Sequence, residues 1–299
     1  MKVSVIIPTH DRVHSLKHAI DSVVGQSISV NEIIVVDDTG SENTKLLVES
    51  YKNISITFIH NHNNGASSSR NLGAKLAKSD FLAFLDDDDT WFPDKLEKQV
   101  SLVKENHLDA VFSQLLVKYD VSGGEYATKA RNVSNPLKSI CIENYIGATI
   151  SCLIRRELFL ELKGFDEMFL AREEYDLWIR VIESGAKIGI VEEPLAISNR
   201  SFSRERISSN ISSYESAIDL LNEKHKKLVL DTLNESERKH RESKQYCFLA
   251  AQAISINKGG IASKYYFKSF FKSFSPKSMV LAILSLISPK FLIMLRSKM

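Results

Sequence analysis

Hydrophobic positions in the first half of the chain switch repeatedly between two periods. Val3–Ile7 is a short β-branched run closed by Pro8, the pattern of a strand buried on both faces. Val13, Leu16, Ile20, Val23 and Val24 then recur at helical spacing, with Gly25 near the end of the stripe. Ile33–Val36 reads as a second buried strand. It runs into Asp37 and Asp38, and Thr39, Gly40 and Ser41 supply a turn and cap for a helix through Tyr51. Ile54–Ile59 is a third strand, and Gly65 opens a helix carrying Leu72, Leu76 and Ala77. Phe81–Leu85 is a fourth, stopping at four consecutive aspartates, Asp86 to Asp89. Strands and helices alternating at this pace predict right-handed βαβ units around a parallel sheet, a doubly wound α/β domain.

Further on the pattern loosens. Pro93 starts a helix through about Glu105, and Ala110–Tyr119 with Glu125–Arg131 predicts a hairpin around Gly123 and Gly124. Ala148–Ile154 predicts another strand and Arg156–Lys163 a helix closed by Gly164. From about Ser208 the periodicity is helical to the end, and Gln245–Phe274 reads as a helical hairpin turning at Gly259 and Gly260. These patterns divide the chain into an α/β domain over 1–205 and a helical region over 206–299.

The composition, 43% apolar and 25% charged over 299 residues, is that of a folded domain with an appendage; it excludes a collagen-like, a mostly disordered or a disulfide-scaffold chain. Cys141, Cys152 and Cys247 lie far apart with no CxxC pair, which predicts a reducing compartment and no zinc site. Met1–Thr9 leads straight into a strand pattern without a cleavage site, so no signal peptide is expected. Charge is unevenly placed. The last 57 residues hold nine basic and no acidic side chains, which leaves −7 on the first 242. A basic tail of this kind suits an anionic surface, membrane or nucleic acid.

In an open parallel sheet, ligands bind beyond the carboxyl ends of the strands. Three such ends carry polar groups that folding does not require: Pro8-Thr9-His10-Asp11, Asp37-Asp38 and Asp86 to Asp89. Four adjacent carboxylates repel, each neighbouring pair by about 1 kcal/mol even when solvated. A hard divalent cation, Mg²⁺ or Mn²⁺, removes that penalty, and an ion held by so few protein ligands implies substrate phosphates. An acidic loop capping the helix near Pro93 is the simpler reading of the same residues, and both can hold. GxxxxGK[ST] and GxGxxG are absent, which argues against P-loop NTPases and NAD enzymes. A metal-held nucleoside diphosphate fits the remaining groups. Asp38 could accept the N3–H of uracil, His10 could stack on the ring, and Arg70 could reach base or phosphate; alternatively His10 is a core contact and Arg70 a surface ion pair.

VSVIIPTHDR at 3–12, IIVVDDTGSENT at 33–44, NNGASSSRNLGAKLAKSDFLAFLDDDDTWFPDKL at 63–96 and GFDEMFLAREEYDLWIR at 164–180 resemble the successive signatures of family 2 glycosyltransferases, over roughly residues 1–207. The resemblance implies the GT-A fold, Rossmann-like with a mostly parallel sheet, here with a C-terminal helical appendage. It also implies inverting transfer from a nucleotide-activated sugar, a UDP-sugar where Asp38 reads uracil. On the same basis Pro8, Thr9, His10 and Asp11 would line the nucleoside pocket, with Asp38, Arg70 and Asn71 nearby. The D-x-D-type motif would fall on Asp86, Asp87 and Asp88, with Asp88 a direct metal ligand and Asp86 near ribose or metal.

The family's catalytic base lies in an acidic pair ahead of a helix, here Glu173 and Glu174. The residue matching the base is Glu174, where relatives usually carry aspartate, so the choice between the two carboxylates stays open. Trp178, Val181, Ile182 and Gly185 give the next helix its buried face, placing the pair at its N-terminus, where both could merely complement the dipole. A base is chemically required, because an acceptor hydroxyl is a weak nucleophile at neutral pH. Many relatives have a histidine after the equivalent of Pro194; this chain has Asn199, Arg200, Ser201, Ser203, Arg204 and Arg206 instead. Either an arginine neutralises the leaving group or the need for metal is weaker. His60 and His62 read as ordinary loop residues.

In the tail, Phe267, Phe270, Phe271 and Phe274 form one helical stripe beside another of Lys264, Lys268 and Lys272. This suits a helix lying in a membrane interface, or a stripe packed on the tail's own helices. Met279–Ile287 and Phe291–Leu295 are apolar but interrupted by Pro289 and Lys290, and neither approaches the ~20 residues of a span. No groove-reading motif supports nucleic acid. Taken with the resemblance to family 2 glycosyltransferases of bacterial surface-polysaccharide assembly, this tail implies a cytoplasmic protein, peripheral on the inner membrane, whose acceptor is a saccharide or lipid-linked saccharide. The competing expectation is a non-catalytic sugar-nucleotide-binding homologue that assists a membrane-bound assembly.

Overall fold

The computed structural model describes residues 1–62, 64–119, 124–200, 210–288 and 292. The expected βαβ units open the chain: β1 (Val3–Thr9), α1 (Val13–Val24), β2 (Glu32–Asp37), α2 (Glu42–Ser50), β3 (Ile56–His60), α3 (Gly65–Leu76) and β4 (Phe81–Phe84). Here β1 is flanked in parallel by β2 and β4, with Thr9 opposite Asp37. β1, β2 and β4 are buried on both sides, so alternate residues enter different cores. Ile6, Ile34, Leu82 and Phe84 face one, and Val5, Ile7, Ile33, Val35 and Ala83 face the other. Leu16, Ile20 and Val23 of α1 close the second core.

After Phe84 the sheet becomes mixed. The next elements are β5 (Thr90–Trp91), α4 (Lys95–Asn106), β6 (Ala110–Tyr119), β7 (Glu125–Ala127), α5 (Pro136–Ile142), β8 (Leu153–Arg155), α6 (Arg156–Glu161), α7 (Glu173–Glu183) and β9 (Ile188–Arg200). Among the described residues the sheet order is β3-β2-β1-β4-β8-β6-β9-β5, with β7 on β6. β8 is antiparallel to both β4 and β6.

Three expectations change here. The strand expected over Ala148–Ile154 is only Leu153–Arg155. A 3-10 turn, Thr149–Ser151, precedes it, and the carbonyls of Ile150 and Ser151 accept from Trp91 Nε1 and Gln99 Nε2 instead of a neighbouring strand. The second hairpin strand stops at Ala127 rather than Arg131, because Asn132 turns to bond Ile190 and Glu192. The third change is β9, which sequence periodicity does not reveal. Glu192, Glu193 and Pro194 interrupt its apolar pattern at a register shift against β6.

The tail is helical as expected: α8 (Ile211–Lys224), α9 (Lys226–Thr232), α10 (Glu235–Ser255), α11 (Gly259–Ser273) and α12 (Pro276–Ile287). Asn234 and Glu237 form a capping box on α10, and α10 turns into α11 just before Gly259. The division expected at 205/206 lies outside the described residues, as do Pro289, Lys290 and Phe291–Leu295 apart from Leu292. α8 and α10 share one continuous core with α7, through Tyr214, Leu221, Leu249 and Ala250 against Tyr175 and Trp178. No helix of the described residues is long and apolar enough to cross a membrane.

A buried carboxylate fixes that union. Asp176 of α7 is fully buried and accepts from Arg180 Nη2 at 2.6 Å; Lys224 Nζ and His225 Nε2, both at 2.9 Å, meet its other oxygen. Burial opposes its charge, but these donors prevail and hold its pKa at about 2. Asp176→Ala therefore strands several buried donors and costs about 3–5 kcal/mol, measured as a fall in the urea midpoint. Because the native carboxyl titrates below its unfolded value, the contribution is complete above about pH 4 and fades as pH falls through about 2.

Candidate functional site

The carboxyl ends of β1, β2 and β4 meet at one edge. Thr9 Oγ1 donates to Asp87 Oδ2 at 2.6 Å, and the Asp38 amide donates to the Thr9 carbonyl. The aspartate tetrad therefore folds back over β1, and its members separate into different jobs. Asp87 is buried, bonded to Thr9 and to Arg12 Nη1 at 2.9 Å, and burial pushes its pKa up to about 6. Asp89 is also buried. It accepts from the Asn199 amide, lies beside Arg200, and has a pKa raised by burial and by Asp86 and Asp88. Asp86 and Asp88 remain more open, with Asp88 at 3.6 Å from Arg12.

Arg70 on α3 is the hub. Its Nη2 donates to Asp86 Oδ1 at 2.6 Å and its Nη1 to Glu173 Oε1 at 3.1 Å, while its guanidinium stacks at 5.5 Å over Phe165. Burial works against the charge, but the two carboxylates overcome it and hold Arg70 more firmly protonated than usual. The sequence offers Arg70 to a base or phosphate; the structure spends it on joining the end of β4 to the start of α7.

Glu174 lies half-buried next to Glu173, with one long contact of 3.5 Å from Asn144 Nδ2. Its pKa rises to about 7, first because burial disfavours the charge and then because Glu173 is adjacent; Arg172 and Arg70 act in the opposite direction. A carboxyl poised near neutrality suits a general base. Asn144 escapes sequence reasoning, yet it organises the turn beside this carboxyl. Its Oδ1 accepts from the amides of Ile146 and Gly147, and the Gly147 carbonyl accepts from Asn144 Nδ2 and Trp178 Nε1.

Arg172 is also unforeseen. It stands before α7 at φ 61°, is 8% exposed, and lies between Tyr175 and Phe248, 4.6 and 4.0 Å from their ring centres. Phe248 belongs to α10, so the helical region touches the residue that precedes the acidic pair.

The remaining expected residues divide. Pro8 and Thr9 are buried, whereas His10 and Asp11 are exposed just beyond β1. Asp38 is buried and already accepts from Asn61 Nδ2, Ser69 Oγ and the Gly65 amide. It braces the start of α3, and among the described residues its Oδ2 carries a single bond. Asn71 faces away from the β1–β2 edge: its amide bonds both backbone groups of Phe165 and the carboxylate of Glu167. That contact needs a glycine next door. Gly164 has φ 64°, and a Cβ there would come within 2.3 Å of Asn71 Oδ1. Ser201, Ser203, Arg204 and Arg206 lie outside the described residues. His60 and His62 lie against each other with ring centres 4.0 Å apart and planes tilted by 39°.

Among the described residues no group of three or more His, Cys, Asp or Glu side chains is placed to hold a metal alone. Asp86 and Asp88 supply two hard oxygen donors, the number Mg²⁺ or Mn²⁺ takes when phosphate and water complete its shell.

The model of the family described as Glycosyl transferase family 2 matches residues 4–162. An uncharacterized glycosyltransferase of Haemophilus influenzae is 29% identical over 300 residues and covers 98% of both chains. The Escherichia coli protein WfgD, a UDP-Glc:alpha-D-GlcNAc-diphosphoundecaprenol beta-1,3-glucosyltransferase, is 29% identical over 70% of this chain and 80% of its own. AmsB of Erwinia amylovora, an amylovoran biosynthesis glycosyltransferase, is 30% identical over 64% of this chain and 68% of its own. In three dimensions the chain resembles S. aureus TarS 1–349, solved with UDP-GlcNAc, with a TM-score of 0.61 at 17% identity over 96% of this chain and 92% of that one. The GT-A architecture expected from the sequence is thereby established.

The unequal jobs of neighbouring aspartates give a direct test. Asp87→Ala removes a buried acceptor from Thr9 and Arg12 and lowers stability by about 1–3 kcal/mol. Asp88→Ala costs less than half as much. Paired urea titrations check the difference, and equal losses would contradict the division.

Proposed function

The chain belongs to glycosyl transferase family 2, and from that premise we propose that it moves a sugar from a UDP-sugar to a hydroxyl of a lipid-linked saccharide, with inversion, in the assembly of a cell-surface polysaccharide such as O-antigen or capsule. The observation that carries this reading is the Arg70 bridge, which ties Asp86 on the donor side to Glu173 beside the proposed base. WfgD and AmsB support the polysaccharide context, and WfgD supports both a UDP-linked donor and a lipid-diphosphate acceptor. With such an acceptor the protein would work at the cytoplasmic face of the inner membrane.

In this reading the uridine lies over the ends of β1 and β2, between Thr9, His10 and Asp38. Asp88 and Asp86 would hold a divalent Mg²⁺ or Mn²⁺, which would supply positive charge for the departing diphosphate. Glu174 takes the proton of the acceptor hydroxyl as its oxygen attacks the anomeric carbon. The new C–O bond forms on one face while the bond to the diphosphate breaks on the other, so the configuration inverts. Arg70 holds Glu173 and Asp86 in place, and Asn144 steadies the turn beside Glu174.

Glu174→Gln should lower transfer by 10²–10⁴-fold while changing UDP affinity only a few-fold. A fully active variant would remove Glu174 from the chemistry and turn attention to Glu173, whereas a parent that binds UDP but transfers no sugar would favour the non-catalytic reading. In the parent, kcat/KM should rise with pH and reach half its plateau at about pH 7, because the base works only when ionised. A rate unchanged between pH 5 and 8 would contradict this assignment.

A further inference from the structure

Helix α12 is inside out. Its buried face consists of the small residues Ser278, Ala282 and Ser285, while Met279, Val280, Ile283, Leu286 and Ile287 are 44–74% exposed. Those five positions follow i, i+1, i+4, i+7, i+8 spacing and so form one continuous stripe. A helix made for water on its outer side would present the reverse. The small face permits close approach to α11 and α10, where Ser278 meets Ser269 at 3.1 Å and Ser269 meets Ser243 at 2.8 Å. This polar, small-residue packing between helices is typical of segments whose outer surface meets lipid.

The preceding helix continues the pattern. The phenylalanine stripe foreseen in the sequence divides, with Phe267 partly buried against the core, Phe270 partly buried, and Phe271 and Phe274 67% and 71% exposed. Around these apolar residues lie exposed lysines, Lys264, Lys268 and Lys277, and the chain has no acidic residue after Glu242. Lys272 pairs with Glu242.

From these features we infer that the outer face of α11 and α12 docks in the plane of an anionic lipid bilayer, with the α12 stripe immersed at the level of the acyl chains and the lysines on lipid phosphates. α12 has 12 residues, too few to span, so it lies along the interface. A second copy of this chain fits less well, because it would bring one lysine-rich face against another. The inference names the surface that serves the membrane-bound acceptor proposed above. Its readout is lipid binding, so either reading can fail without the other.

The test is co-sedimentation of the full chain with phosphatidylcholine vesicles containing 0 or 30 mol% phosphatidylglycerol (roughly the charge that gives each lysine a measurable share). The parent should bind the anionic vesicles and prefer them at least tenfold. Ile283→Asp with Leu286→Asp, both on the exposed stripe, should lower the partition coefficient at least tenfold with unchanged circular dichroism and UDP affinity. Replacing Lys264, Lys268 and Lys277 with Gln should remove the preference for phosphatidylglycerol. A parent that ignores both vesicles, or an Asp variant that binds as the parent does, overturns the inference. So does a parent that is dimeric by light scattering, becomes monomeric on the Asp substitutions and does not bind lipid, which would assign the face to self-association.

Discussion

The site depends on one buried cation. Arg70 joins two carboxylates that come from different parts of the chain, Asp86 at the end of β4 and Glu173 at the start of α7. Without it, two like charges would face each other in a poorly hydrated space, and Asp86 at the edge of the sheet would lose its tie to the start of the helix that carries Glu174. With it, burial is tolerated because each charge has a hydrogen-bonded partner. The stack of Arg70 on Phe165 extends the brace to the loop before α7, which Asn71 pins from the next position of α3. Arg70 and Asn71 are thus adjacent positions of one helix that hold two sides of the same junction.

A second set of contacts anchors α7 from behind. Asp176 draws in Lys224 and His225 from the end of α8, and Arg172 lies against Phe248 of α10. The helical region is therefore part of the support of the acidic pair as well as a tail. Its far side has the opposite character, since α12 turns large apolar residues outward and small ones inward. The same set of helices thus braces the acidic pair on one side and turns an exposed apolar stripe outward on the other.

The first four strands and their helices were legible because each is a short apolar run with a clear period, bounded by Pro8, Asp37 or the aspartate tetrad. β9 was not, since its pairing with β6 comes from distant contacts and its own sequence contains Glu192, Glu193 and Pro194. That the ends of β1, β2 and β4 gather their polar groups at one edge was legible for the same reason as the strands: polar groups at strand ends stand out. The division of labour within it was not. Adjacent letters in Asp86 to Asp89 cannot reveal that Asp87 turns inward to Thr9 while Asp86 reaches Arg70. Asn144 and Arg172 carried no local signal at all, because their importance arises from what folding brings beside them.

The most direct test of this account is calorimetric titration of UDP, with and without Mn²⁺, into the parent and into Arg70→Gln. The account predicts that the parent binds UDP only with the metal, and that the variant binds at least tenfold more weakly because Asp86 is no longer oriented (about 1.4 kcal/mol or more). Binding by the parent that ignores Mn²⁺, or equal affinities in parent and variant, would contradict it.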